Sequence, residues 1–298
     1  MDKTDTGQSE RGMDMRTEVV DLYDYYGLAA PEGAAGKLSC WDSKTSDRVS
    51  PCRKRPAILI LPGGGYRITS PREAEPVALR FAARGYAAFV LDYSCDPLRF
   101  PVALREAALA MRYIREHAAQ FEVDPHMVAA MGFSAGGHLC GTLGTLFDAP
   151  EVADLGAPEL LRPDALGLCY PVAVSWGKTH DLTFDRLTGG DPALRSALSI
   201  DKLVRADMPP VFLWHTRDDE LVPCRNALIL AEALEEKGVD LAFHLYRHGQ
   251  HGLSTADEMV YSTEKIPNIS ADVPGWLDLM IQFFKEIGFC MTDREMDL

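Results

Sequence analysis

The chain has 298 residues, of which 47% are hydrophobic and 25% charged, with a formal net charge of −14. Such a length suffices for one large core, and so acidic a balance argues against nucleic acid or an anionic membrane surface as a partner. The seven cysteines are odd in number, scattered and without C-x-x-C spacing, which fits free thiols in a reducing compartment better than a disulfide framework or a zinc site. Residues 1–17 are polar and charged and read as a disordered tail, leaving 18–298 as a single domain. With no hydrophobic leader and no run of 18 apolar residues, the expected location is the cytoplasm.

In chain order, alternation over Glu18–Tyr26 predicts an edge strand and Lys37–Trp41 a second, followed by a polar loop over Thr45–Arg55 that carries Pro51. Ala57–Leu61 is a continuous apolar run, the signature of a strand buried on both faces, and it runs into Pro62-Gly63-Gly64-Gly65-Tyr66. Pro71–Arg84 reads as a helix stopped by Gly85, Tyr86–Leu91 as a buried strand, and Pro101–Ala119 as a long amphipathic helix. A short apolar run, Met127–Met131, then leads into Gly132-Phe133-Ser134-Ala135-Gly136, and Leu139–Phe147 reads as helix. Ala149–Pro163 should be a surface loop, Ala165–Val174 a strand, and 175–210 an irregular insertion with one helix over Ala193–Val204. Strand Val211–His215, helix Pro223–Lys237, strand Leu241–Tyr246 and helix Asp272–Gly288 close the chain. Alternating strands and helices predict an α/β fold, a mostly parallel central sheet with helices on both faces.

Strand, sharp turn and helix with G-x-S-x-G at the turn is the context that lifts a serine oxygen above a sheet. A serine hydroxyl needs a base, and the base an orienting acid; in such sheets both belong on loops beyond strand C-terminal ends. After Val211–His215 three carboxylates compete, Asp218, Asp219 and Glu220. Asp219 is favoured because Asp219–Pro223 turns the chain into the next helix. After Leu241–Tyr246, His251 is preferred over His248 because Gly249 and Gly252 free its loop. The H-x-x-H spacing of these two lies on a loop with no third ligand nearby, so no metal is expected. Donors for a developing oxyanion would be the Ala135 N–H and those of Gly64 and Gly65. Neither P-loop nor dinucleotide spacing follows the glycines. Tyr66, Trp176 and His180 are candidates for the substrate pocket.

Leu61–Tyr66, Gly132–Leu139, Phe212–Thr216 with Asp219–Pro223, and His251-Gly252 together resemble the α/β-hydrolase superfamily. Within it they are similar to bacterial xylan esterases and acetyl esterases, near the hormone-sensitive-lipase-like group, over about 57–289. The resemblance implies a triad of Ser134, Asp219 and His251, the residues favoured above, and an enzyme without a cofactor. One departure is Pro62, where many hormone-sensitive-lipase-like enzymes carry histidine before the glycine triplet; the chain also lacks a long N-terminal cap. The expected function is a serine carboxylesterase releasing small acyl groups, acetyl above all, from a small-molecule ester such as acetylated xylo-oligosaccharide. Rival readings are an amide-cleaving hydrolase (an arylformamidase or a small peptidase) and an inactive fold used for binding. A homo-oligomer is compatible with the sequence.

Overall fold

The computed structural model describes residues 15–43, 53–260 and 273–293. The expected Glu18–Tyr26 strand divides into strand β1 (Met15–Asp21) and helix α1 (Leu22–Tyr26). Asp21 Oδ1 accepts the N–H groups of Tyr23 and Asp24, an N-cap that turns strand into helix. β1 reaches back to Met15, into the stretch read as a tail; residues 1–14 lie outside those described, as do 44–52 of the expected polar loop.

The remaining strands are β2 (Lys37–Ser43), β3 (Arg53–Leu61), β4 (Ala87–Asp92), β5 (Val123–Phe133), β6 (Ala165–Cys169), β7 (Val211–Thr216), β8 (Leu241–Tyr246) and β9 (Thr292–Asp293). The sheet order is β1-β2-β4-β3-β5-β6-β7-β8, with β9 pairing the start of β3. From β4 to β8 every neighbouring pair is parallel, while β1–β2 and β2–β4 are antiparallel. The order places β3, β5, β6 and β7 in the middle, so their C-terminal ends share one edge of the sheet.

The helices are α2 (Glu75–Ala82), α3 (Val102–Glu116), α4 (Ala135–Leu146), α5 (Pro158–Leu161), α6 (Asp181–Thr188), α7 (Pro192–Ala197), α8 (Ile200–Leu203), α9 (Arg225–Glu236) and α10 (Trp276–Glu286). The two-residue period of β3 splits its side chains: Ala57, Leu59 and Leu61 join one core with α1, α3, α4 and α9. Ile58 and Ile60 join the other, with α2 and α10. This is the expected α/β layering with helices on both faces.

Three differences from the sequence reading have local causes. Pro71–Glu73 is a separate 3-10 turn ahead of α2, and β6 ends at Cys169 because Tyr170 takes a left-handed φ of 38°. The single helix expected at Ala193–Val204 is two, broken where Ser199 is extended. There Ser199 Oγ accepts the Ser175 N–H at 2.8 Å and donates to Asp201, so a tertiary hydrogen bond overrides helix continuity. The insertion is thus helical, with α6 ending at the Gly189-Gly190 pair. Among the described residues no helix is long and apolar enough to cross a membrane.

α10 closes the second core with Trp276 stacked on Trp214 at 5.5 Å and Phe284 fully buried against Phe289. Truncating a buried phenylalanine removes about 3–5 kcal/mol. Phe284→Ala is therefore expected to lower the urea unfolding midpoint sharply at constant m-value. Leu279→Ala, on the exposed side of the same helix, should change stability by no more than about 0.5 kcal/mol.

Candidate active site

β5 ends at Phe133, α4 begins at Ala135, and Ser134 between them has φ 54° and ψ −116°. The bend is tight enough that a Cβ on Gly132 would lie 2.1 Å from the Gly136 carbonyl oxygen, and one on Gly136 2.0 Å from the Leu61 oxygen. Both flanking glycines are therefore required by close backbone approach. The Ser134 N–H donates to Cys169 O, and its carbonyl accepts from His138 and Val172.

The loops after β7 and β8 bring two side chains to this serine. His251 Nδ1 donates to Asp219 Oδ2 at 2.6 Å, and Ser134 Oγ donates to His251 Nε2 at 2.8 Å. An ionised carboxylate only accepts, which fixes the proton on Nδ1 and leaves the Nε2 lone pair facing the hydroxyl. Asp219 is buried, and its Oδ1 accepts the N–H groups of Leu221 and Val222 at 3.0 and 2.8 Å. Asp218 instead faces solvent and accepts from His248 at 2.6 Å, so the two histidines of the H-x-x-H stretch pair with different aspartates. A hydroxyl on a neutral imidazole held by a carboxylate is the arrangement that activates a serine oxygen.

The glycine loop after β3 lies against the serine: a Cβ on Gly63 would be 3.0 Å from Ser134 Cβ. Its successive carbonyls are all taken. Pro62 O accepts from Tyr93 Oη at 2.6 Å, Gly63 O from Ser70 N at 2.8 Å and Gly64 O from Arg67 N at 3.1 Å. Gly65 O accepts from Arg186 at 3.0 Å and Tyr66 O from Asp96 N at 2.8 Å. The N–H groups of Gly64 and Gly65 find no acceptor among the described residues, and Ala135 N–H belongs to the open first turn of α4. Gly64 has φ 132°, and a Cβ there would strike Ile68 O at 2.0 Å, so this loop path is closed to other residues.

The three candidate pocket residues fare differently. Tyr66 is 2% exposed and its hydroxyl donates to His138 Nδ1. It takes a left-handed φ of 51°, and its side chain lies in the core beneath the loop. Trp176 is exposed, its indole N–H donating to Asp201. His180 lies beside the glycine loop, its Cε1 3.5 Å from where a Gly65 Cβ would sit, and bonds Thr183 Oγ1 at 2.7 Å. Burial, His251 and Arg186 together hold the His180 ring below its ordinary pKa.

The chain as a whole is similar to solved structures and to curated sequences. An acetyl ester-xyloside bifunctional hydrolase from Caldicellulosiruptor lactoaceticus is 33% identical, with a TM-score of 0.79 covering 94% of this chain and 99% of the other. The chain belongs to the α/β-hydrolase family. Within that family it resembles proteins named for acetylxylan and acetyl ester-xyloside hydrolysis. A carboxylesterase from Lactobacillus plantarum is 25% identical, with a TM-score of 0.78 over 94% of this chain and all of the other. Endo-1,4-beta-xylanase B of Butyrivibrio fibrisolvens is 36% identical over 220 residues, 70% of this chain and 34% of that protein. The acetylxylan esterase of Xylanibacter ruminicola is 27% identical over 229 residues, 74% of this chain and 45% of that protein. The chain thus spans a third to a half of these curated relatives. Residues 50–156 match the BD-FAE family, and 176–268 the prolyl oligopeptidase family.

Several side chains around this α/β-hydrolase site escaped the sequence reading. Glu73 and Tyr170 form a buried pair beneath the glycine loop, Tyr170 Oη donating to Glu73 Oε1 at 2.7 Å. Arg186 reaches the loop from α6, and buried Asn226 accepts from Val174 N and Thr179 Oγ1 to pin the start of the insertion. A glutamate in a Pro-Arg-Glu turn and a tyrosine before proline carry no distinctive spacing; only the buried run before Tyr170 hinted at its place at a strand end. Among the described residues no group of three or more His, Cys, Asp and Glu side chains is placed to hold a metal ion.

Two further histidines are sealed around the site. His138 bonds Tyr66 and Leu198 O, and His215 lies under Asp219 with Nε2 4.0 Å from Oδ2. Burial lowers each from the ordinary 6.5 to about 4. Below 6.5 the unfolded chain binds protons these rings refuse, so their contribution is complete above 6.5 and is lost as pH falls toward 4. Unfolding free energy should accordingly decline between those values, and His138→Gln or His215→Gln should each reduce that slope by up to about 1.4 kcal/mol per pH unit, one proton's worth. Denaturant titrations across the window measure it.

Proposed function

We propose that the protein is a serine carboxylesterase acting on acetyl esters of carbohydrates, acetylated xylo-oligosaccharides in particular. The observation that carries the reading is the continuous hydrogen-bond chain from Ser134 through His251 to buried Asp219, beside a loop whose carbonyls are all engaged elsewhere. Ser134 Oγ attacks the ester carbonyl while His251 Nε2 takes its proton; the tetrahedral oxyanion is met by the N–H groups of Gly64, Gly65 and Ala135. His251 then gives the proton to the leaving sugar hydroxyl, and the acyl group stays on Ser134 as an ester. Water, deprotonated by His251, releases acetate through a second tetrahedral intermediate. Asp219 holds the imidazole tautomer and stabilises the imidazolium. Every step uses side chains and backbone of this chain, without metal or organic cofactor.

The choice of acetylated sugar is supported by the relatives named for acetylxylan and acetyl ester-xyloside hydrolysis. The six described cysteines are free thiols, which supports a reducing, cytoplasmic setting. A second reading, amide cleavage by the same triad, is favoured by the prolyl oligopeptidase match over 176–268.

Acetate release from acetylated xylo-oligosaccharide, with N-formylkynurenine and a dipeptide amide alongside, separates the two. The esterase reading expects fast acetate release that Ser134→Ala lowers by about 10⁴-fold or more, and that Asp219→Asn lowers by about 10³- to 10⁴-fold through the wrong tautomer. Turnover of an amide with inert sugar ester would overturn the substrate and keep the triad. No turnover of any of the three, with Ser134 unlabelled by a fluorophosphonate, would leave an inactive fold used for binding.

A further inference from the structure

We infer that Glu73 is a positioning residue that locks the oxyanion loop and the His251 loop to one another through a buried carboxylate; the inference rests on the serine-hydrolase reading of the site. Glu73 is 4% exposed and lies at the end of the 3-10 turn behind the glycine loop. Its two oxygens serve different halves of the site. Oε2 accepts the Gly63 N–H at 2.8 Å, and Oε1 accepts the Tyr170 hydroxyl at 2.7 Å.

On the oxyanion side, the loop rests directly on the carboxylate: a Cβ on Gly63 would lie 2.6 Å from Oε2. The Gly63 N–H is held by Glu73 and the Gly63 carbonyl by Ser70 N–H at 2.8 Å. Both peptide planes flanking Gly63 are thereby fixed, and the second carries the Gly64 N–H. On the histidine side, Tyr170 Oη accepts the Ser254 N–H at 2.9 Å, just beyond His251 in the same loop. Ser254 O accepts from Trp276 and Ser254 Oγ donates to Arg72 O, the residue before Glu73. The Tyr170 ring meets His251 edge-on at 5.1 Å. Glu73 is thus where the supports of the oxyanion donors and of the base converge.

The chemistry calls for a carboxylate. Both partners are donors, and Tyr170 Oη already accepts from Ser254, so its proton must go to Glu73. A glutamine offers one accepting oxygen and one NH₂. Facing Gly63, the NH₂ opposes an N–H; facing Tyr170, it leaves the phenol proton without an acceptor in a buried site. Either way one of the two loops is released from its register, and oxyanion stabilisation depends on donors that are already in place.

The experiment compares wild type, Glu73→Gln, Tyr170→Phe and the double variant on 4-nitrophenyl acetate, with active sites titrated by a fluorophosphonate and folding followed by thermal melts. Expected is a fall in kcat per titrated site of about 10- to 100-fold in each single variant, with KM nearly unchanged. The rate of Ser134 labelling should fall in parallel, and the double variant should be no slower than the worse single, because both act through one linkage. A folded Glu73→Gln enzyme with wild-type kcat per titrated site would overturn the inference, as would a double variant whose loss is the product of the two single losses. If Glu73→Gln does not fold, Tyr170→Phe decides alone: wild-type kcat per titrated site and a wild-type rate of Ser134 labelling would overturn the inference. Failure of the esterase reading would show separately, as wild type inert toward the ester, and the labelling rate would still read the positioning role.

Discussion

The constraint on which the rest of this structure depends is the close backbone approach of Gly136, in the first turn of α4, to the ends of β3 and β5 at the serine bend. Gly136 passes so close to Leu61 O, and Gly132 to Gly136 O, that no Cβ fits at either place. This contact sets Ser134 at the C-terminal end of the central strands and starts α4 beneath it. It also brings the glycine loop, which leaves β3 one residue later, against the serine. The order β3-β5-β6-β7 then decides which loops can reach the hydroxyl: those after β7 and β8 supply Asp219 and His251, and the turn after β6 supplies Tyr170. The site is therefore a property of sheet topology and of one pair of glycines before it is a property of any reactive side chain.

Backbone strain gathers at the same place. Of the six described non-glycine residues with left-handed φ, Tyr66, Ser134, Tyr170 and Ser254 belong to the site or its supports. Each such residue costs of order 1–3 kcal/mol and persists only where its surroundings over-determine it. Here the surroundings are visible. Ser134 is fixed by Cys169, His138 and Val172; Tyr66 by His138 and Asp96; Tyr170 and Ser254 by each other, Glu73 and Trp276. Fixed hydrogen bonds thus hold backbone that would be costly on its own, and they hold it around the serine bend.

Much of this was readable from the chain itself, and the reasons differ by element. The buried strands announce themselves by apolar runs such as Ala57–Leu61, because a strand covered on both faces has no polar positions to interrupt it. Ser134 and its flanking glycines are legible because the steric demand acts on neighbours in sequence. Asp219 and His251 could be singled out from competing acids and histidines by which residue begins the turn into a helix and which is freed by glycines. Glu73 and Tyr170 were not legible in this way: their partners lie 97 positions apart, and neither carries a local pattern. The burial of Tyr66 was not legible either, since its proximity in sequence to the glycine loop says nothing about the sign of its φ.

The insertion between β6 and β7 shows where the same reasoning stops. Its helices are short and lack a strong apolar period, so their boundaries follow from tertiary bonds that sequence does not display. Asn226 on α9 accepts from Val174 N and Thr179 Oγ1 and donates to Lys178 O and Pro223 O. Ser199 holds Ser175, Arg195 reaches Ser175 O, and Arg186 reaches Gly65 O. Asn226 thus fastens the start of the insertion to α9, Ser199 and Arg195 fold its later helices back onto Ser175, and Arg186 joins α6 to the glycine loop. Arg186 differs from the other anchors in its target: it joins the insertion to the Gly65 carbonyl of the glycine loop. A displacement of α6 within the insertion would therefore also move a hydrogen-bond partner of the glycine loop, since Arg186 ties the two together.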